Sequence, residues 1–116
     1  MFSKFGGCGP SWLRAIADPQ IGEALRLMHA EPERNWTVPT LAEGVAMSRS
    51  AFADRFRRLV GETPLDHLTR WRMVRAAAML RERRPIKMAA VANANGYESE
   101  SSFGKVFKRV MKVSPG

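Results

Sequence analysis

The chain has 116 residues, room for one compact domain or for two small subdomains that share a helix. Its hydrophobic fraction of 45% supports a core and excludes a disordered tail, and no apolar run approaches the ~20 residues that span a bilayer. The net charge is +8, and it is unevenly spread: residues 1–48 carry four basic and five acidic side chains, residues 49–116 fifteen and six.

Met1–Gly9 is Gly-rich, lacks an apolar signal-peptide core, and reads as the start of a flexible linker over 1–17. Asp18-Pro19 opens a helix, Asp as N-cap and Pro at the first position. Ile21, Ala24, Leu25 and Met28 continue it at helical spacing over 19–30, and Glu31-Pro32 stops it. Thr37 caps a short helix over 38–45 that buries Leu41, Ala42 and Val45, with Ala46-Met47 as a tight turn. Ser48 caps the next helix, 49–60, whose inner face is Phe52, Phe56 and Leu59, and Gly61 stops it.

Thr63-Pro64-Leu65-Asp66 has the pattern of a capping box and starts a longer helix. Its apolar stripe is Leu65, Leu68, Met73, Ala76, Ala77 and Leu80. It runs over 64–83, ends near Arg84-Pro85, and is ~30 Å long. A short helix over 87–95 buries Ala90 or Val91, and Gly96 supplies the turn. Ser99 caps the last helix, 99–112, with Phe103, Phe107 and Val110 inward. Ser114-Pro115 resembles Thr63-Pro64, the opening of another helix. No run alternates like a strand and no hairpin dipeptide occurs, so the expected class is all-α.

Two of these stretches repeat. SRSAFADRFRRLVGETP (48–64) and SESSFGKVFKRVMKVSP (99–115) align at an offset of 51, matching Phe52 with Phe103, Phe56 with Phe107, Arg58 with Arg109 and Pro64 with Pro115. LAEGVAM (Leu41–Met47) precedes one copy and VANANGY (Val91–Tyr97) the other. The chain therefore reads as two helix-turn-helix units of the three-helix, homeodomain-like kind: one over 18–62, a linker helix over 63–84, and one over 85–116. The second helix of such a unit is a device for reading a DNA groove.

With Phe52 and Phe56 inward, the 49–60 helix presents Arg49, Ser50, Ala53, Asp54 and Arg57 outward. Arg grips guanine O6 and N7, Ser uses either partner, Asp accepts from cytosine N4, and Ala is small enough to let a groove approach or to touch a thymine methyl. The last helix similarly presents Glu100, Ser101, Gly104, Lys105 and Lys108. The base-reading candidates are Arg49, Ser50, Ala53, Asp54, Glu100, Ser101 and Lys105; the phosphate-binding candidates are Thr40, Arg57, Lys87 and Lys108. An ordinary solvated helix face is the competing reading of each stripe. Gly104 inside a helix costs roughly 1 kcal/mol relative to Ala, which either close approach to DNA or tight helix packing would explain. Arg58 and Arg109 are candidates for ion pairs. Two reading helices on one face of a duplex sit ~34 Å apart, the order of length of the linker helix.

Other residues invite plainer readings. His29 and His67 have no partner cluster, and with Cys8 they make no zinc pattern, so no metal or cofactor is expected. Trp12, Trp36 and Trp71 read as packing residues and the methionines as gap-fillers. One cysteine permits no internal disulfide and fits a reducing, intracellular setting. No acid–base pair, nucleophile–His arrangement or phosphate-cradling Gly loop suggests an enzyme.

Trp36–Pro115 resembles the DNA-binding domain of AraC/XylS-type bacterial transcription regulators. The resemblance is carried by WTVPTLAEGVAMSRSAFADRFRRLVGETPLDHLTRWRMVRAAAMLRE and by VANANGYESESSFGKVFKRVMKVSP, and LRAIADPQIGEALRLMHAEPE extends it upstream. It implies two helix-turn-helix subdomains joined by a long helix, asymmetric double-stranded DNA sites near promoters, and activation through RNA polymerase in the bacterial cytoplasm, at the nucleoid. Base contacts then fall on Arg49, Ser50, Ala53 and Asp54 and on Glu100, Ser101 and Lys105. Ala46 and Lys112 depart from the family's usual glycines, and Asn93 and Asn95 from its usual residues. Many members carry an effector or dimerisation domain, for which 116 residues leave no room, so a fragment, a lone DNA-binding domain and a small single-domain regulator are all open. A helical module that binds another protein through the same fold is the alternative function.

Overall fold

The computed structural model describes residues 11–82, 86–113 and 115. The readings placed on residues 1–10 (the Gly-rich start and Cys8), on 83–85, on Ser114 and on the Trp12 side chain lie outside the described residues. Seven helices and no strand are found among the described residues: α1 (Ser11–Ala17), α2 (Pro19–Ala30), α3 (Val38–Gly44), α4 (Arg49–Val60), α5 (Pro64–Leu80), α6 (Met88–Ala94) and α7 (Glu100–Met111). They form two compact units. One holds the chain up to Ala30 with Trp36–His67; the other holds Glu31–Asn35 and the chain from Leu68 onward.

In the first unit, Asp18 Oδ1 accepts the N–H groups of Gln20 and Ile21 at 3.1 and 3.0 Å, which satisfies the open start of α2. Helix α2 packs against α3 and α4, and Ile21, Ala24, Leu25 and Met28 of α2, Leu41 and Ala42 of α3, and Phe52 and Phe56 of α4 are all buried. Thr37 and Thr40 close a reciprocal capping box on α3: the Thr40 N–H donates to Thr37 Oγ1 and the Thr37 N–H to Thr40 Oγ1. Ser48 accepts the Ala51 N–H at the start of α4, and Gly61, in the left-handed region at φ 94°, ends it.

Helix α1 falls where a flexible linker is expected. It packs on α2 and α4 and buries Ala15. Its seven residues are too few for a periodicity to stand out, and among its described side chains Leu13 and Ile16 are exposed. Close docking replaces a stripe: a Cβ at Gly22 of α2 would lie 2.6 Å from the Ile16 carbonyl oxygen, so the two backbones approach at a glycine.

In the second unit, Met73, Ala76 and Ala77 of α5, Val91 and Ala92 of α6, and Phe103 and Phe107 of α7 form one buried cluster. Ser99 caps α7 by accepting the Ser102 N–H at 3.1 Å. Thr63 caps α5 as expected, accepting the Asp66 N–H at 3.2 Å. Helix α5 stops at Leu80, and its 17 residues are ~26 Å long. Leu65, assigned to its apolar stripe, is exposed, whereas Leu68 is buried and Met73, Ala76 and Ala77 are buried in the second core. Leu59, Leu80 and Val110, expected inward, are half-buried, and at α6 it is Val91 and not Ala90 that is buried.

The repeat is visible in backbone hydrogen bonds. The Met47 N–H donates to the Ala42 carbonyl and the Tyr97 N–H to the Ala92 carbonyl, both at 2.9 Å and 50 residues apart. The capping serines, Ser48 and Ser99, are 51 apart. One residue, Glu98, is therefore inserted between the turn and α7 in the second unit. Ala46 (φ 59°) and Gly96 (φ 86°) hold the same left-handed position in the two turns, and Gly61 (φ 94°) and Lys112 (φ 68°) the same one at the two helix ends.

Candidate nucleic-acid interface

Phe52 and Phe56 stack obliquely at 5.7 Å between centroids and Phe103 and Phe107 at 5.6 Å, and each pair is buried. Each therefore fixes which side of its helix faces solvent. On α4, Arg49, Ser50, Asp54 and Arg57 are exposed and Ala53 is half-buried. On α7, Glu100, Ser101, Lys105 and Lys108 are exposed. Each stripe of candidates thus lies on the outer side of its own helix.

Neighbouring groups modify this picture. Asp54 Oδ2 accepts from Arg58 Nε at 3.0 Å, a pair one turn apart in which both side chains are about two-thirds exposed. Asp54 is therefore engaged on its own helix, although such an exposed pair is worth well under ~1 kcal/mol and yields readily to a better partner. The Thr40 hydroxyl is committed to the capping box of α3. It nevertheless lines a shallow concavity of about 500 Å³ together with Pro39, Glu43, Met47, Ser48 and Arg49, so α3 and α4 bring the phosphate candidate Thr40 and the reading candidate Arg49 to one surface. Lys87 is exposed at the N-cap position of α6, where its side chain makes no cap hydrogen bond.

Gly104 gains a clearer meaning. Among the described residues a Cβ built there meets nothing within 4 Å, so their packing does not require the glycine. Of the two explanations open in the sequence, close helix packing is removed.

Sequence reasoning missed the residues that hold these helices. Arg55 of α4 donates to Gln20 Oε1 at 3.0 Å and lies 3.6 Å from Asp18 Oδ2, while Gln20 Nε2 donates to the Val45 carbonyl at 2.9 Å. One polar chain thus ties the start of α2, the turn and the recognition helix. The partners lie some 35 residues apart, a separation at which no local pattern links them. In the second unit the buried Asn95 takes an equivalent role. Its Nδ2 donates to the Val91 carbonyl at 2.9 Å, and its Oδ1 accepts from Arg75 at 3.1 Å. Arg72 donates to the carbonyls of Pro32 and Arg34 at 2.7 and 2.9 Å and lies over the Tyr97 ring. Its guanidinium sits where a side chain at Gly96 would begin.

His29 and His67, read as lacking a partner cluster, are brought together: their Nε2 atoms are 3.0 Å apart, and His67 Nδ1 lies 2.9 Å from Glu62 Oε2. Among the described residues no group of three or more His, Cys, Asp or Glu is arranged to hold a metal ion, and no helix is long and apolar enough to cross a membrane.

Comparison with known proteins places this geometry. A helix-turn-helix domain family matches residues 41–116, from inside α3 through α7. A Streptomyces lividans protein named as an AraC-like transcription regulator is 47% identical over 105 residues, which are 90% of this chain and 34% of the relative. The chain belongs to the AraC-type helix-turn-helix family. The HTH-type transcriptional regulator AlkR of Acinetobacter baylyi is 43% identical over 105 residues, with the same coverage of each chain. This AraC-type chain spans about a third of the length of both relatives. Its fold is that of the DNA-binding domain of AdpA, described as the global transcriptional factor and crystallised with a target DNA. The two are 31% identical with a TM-score of 0.77, over 85% of this chain and 87% of that one.

Proposed function

We propose that this AraC-type chain binds double-stranded DNA sequence-specifically and regulates transcription, reading two successive major-groove segments with α4 and α7. The observation that carries this reading is the paired construction. Each unit buries a Phe–Phe pair on one side of its second helix and exposes on the other a polar stripe that carries two basic side chains. The excess of positive charge lies in residues 49–116, where both recognition helices are found, and would supply the salt-dependent part of affinity.

Arg49, Ser50, Ala53 and Asp54 read base edges from α4, Asp54 exchanging Arg58 for a cytosine amino group. Glu100, Ser101 and Lys105 do so from α7, and the vacant space beside Gly104 lets that helix approach the duplex closely. Thr40, Arg57, Lys87 and Lys108 hold phosphates and set the register. Because the relatives are about three times as long, effector binding or dimerisation belongs to sequence of that kind beyond the matched region, and contact with RNA polymerase to the assembled regulator at nucleoid DNA in the cytoplasm.

The test is selection of bound sequences from a random duplex library with the purified chain, at roughly 150 mM salt so that purely electrostatic binding is suppressed. One asymmetric motif with two half-elements about a helical turn apart is expected. A single short motif would confine base reading to one helix. No enrichment, with binding to DNA that does not weaken as salt rises, would refute the proposal in favour of a protein-binding role.

A further inference from the structure

The first unit contains a titratable chain that the DNA-reading role does not use. His29 closes the last turn of α2, His67 lies in the first turn of α5, and Glu62 follows Gly61, the residue that ends α4. The two histidine rings face each other end to end. Their Nε2 atoms are 3.0 Å apart, while the ring centroids are 5.2 Å apart and tilted by 31°. A centroid separation so much longer than the nitrogen gap means that the rings point nitrogen to nitrogen and do not stack. Only one proton fits in that gap, with one ring as donor and the other as lone-pair acceptor.

The Glu62 carboxylate determines the rest. An ionised carboxylate only accepts, so His67 Nδ1, 2.9 Å from Glu62 Oε2, carries a proton. His67 Nε2 then accepts from His29, whether neutral or a cation, or, when His67 is itself a cation, donates to a neutral His29. Each arrangement leaves at most one of the two rings charged. A second added proton would place two N–H groups and two positive charges against each other across 3.0 Å.

Among the described residues, the cleft of about 400 Å³ that holds both rings is lined by Ala15 and Ile16 of α1, Leu25 of α2 and Val60 of α4. Arg26, one turn before His29 and paired with Glu23, lines the same cleft, and Phe56 meets His67 edge-on at 5.9 Å. Burial, and second the charge of His67, lower the pKa of His29 below the ordinary histidine value.

We propose that His29, His67 and Glu62 form an acid-sensitive latch of the first unit, which holds α2 to the start of α5 and to the end of recognition helix α4 while at most one of the two rings is charged, and opens when His29 takes a proton beside a cationic His67. The sign follows from linkage. The pKa of His29 is lower in the folded chain than in the unfolded one, so the latch contributes its full stability above the unfolded value of ~6.5. That contribution is lost as pH falls through the folded value.

The test is urea unfolding of the whole chain from about pH 7.5 to about pH 5, beside the same titration of His29→Gln, whose amide donates to His67 but takes no proton. The unfolding equilibrium constant of the unaltered chain is expected to rise with acidity by up to about tenfold, per unit by which the folded pKa is lowered, more than that of the variant. Superimposable pH dependences would overturn the latch. Should the variant not fold, proton resonances of the two imidazoles in the unaltered chain decide it. Titration of His29 below the ordinary value, with a second inflection in the His67 signal at the same pH, supports the latch. Two independent titrations at the ordinary value refute it.

Discussion

Ala46→Gly should make the protein more stable although it removes a methyl group. Ala46 sits at φ 59° in the turn between α3 and α4, and Gly96 occupies the equivalent place at φ 86° between α6 and α7. An L-residue in that region costs roughly 1–2 kcal/mol because its Cβ crowds the backbone carbonyl. Glycine removes this cost but loses about 0.5–1 kcal/mol through the greater freedom of the unfolded chain, which leaves a net gain of about 0.5–1 kcal/mol. The reverse changes calibrate the scale. Gly61→Ala, at φ 94° with nothing within 4 Å of the new Cβ, registers the conformational cost alone and should destabilise by about the same amount. Gly96→Ala adds contacts at 3.0 Å with Arg72 Nη2 and the Glu33 carbonyl, so it should cost more than Gly61→Ala. Urea unfolding followed by circular dichroism measures all three, and ~1 kcal/mol corresponds to several degrees of melting temperature in a domain of this size. If Ala46→Gly proves neutral or harmful while Gly61→Ala is costly, the turn does not hold the left-handed geometry on which the repeat equivalence rests.

Arg49→Ala should lose about 1–3 kcal/mol on the selected DNA site and relax base preference there, whereas Lys108→Ala should weaken binding to all sequences alike and reduce the salt slope by about one; competition binding against random DNA across a salt series separates the two. Gly104→Ala meets no neighbour, so thermal unfolding should show a gain of up to about 1 kcal/mol while DNA affinity falls; unchanged affinity would mean that α7 does not approach a duplex closely at that point. Asn95→Ala strands the Val91 carbonyl bond and one acceptor of Arg75 in the second core and should cost about 1–3 kcal/mol, read as a lower denaturation midpoint. Acid should weaken the first unit through His29, as the histidine titration above measures.

Local chemistry accounts for what was legible in the chain. Five helix starts, at Asp18, Thr37, Ser48, Thr63 and Ser99, are written as hydroxyl or carboxylate caps, and each makes the expected bond to a backbone N–H within three residues. The aromatic pairs four residues apart on α4 and α7 point inward for the same reason: a helix brings such residues to one face. The same spacing sets the outward stripes of candidate reading residues. The repeat was legible because both copies solve the same local problem with the same residues.

Tertiary structure decided what depends on partners distant in the chain. Helix α1 docks on α2 and α4, closest at Gly22, and seven residues are too short a window to announce it. Leu65 belongs to an apolar pattern yet is exposed, because packing and not hydropathy chooses which turns of α5 are covered. The Arg55–Asp18–Gln20 chain, the Arg72 bridge to Pro32 and Arg34, and the His29–His67 contact join residues more than thirty positions apart. Hydrogen bonds and ion pairs act over a few ångströms of space, and only the folded backbone brings those atoms within that range.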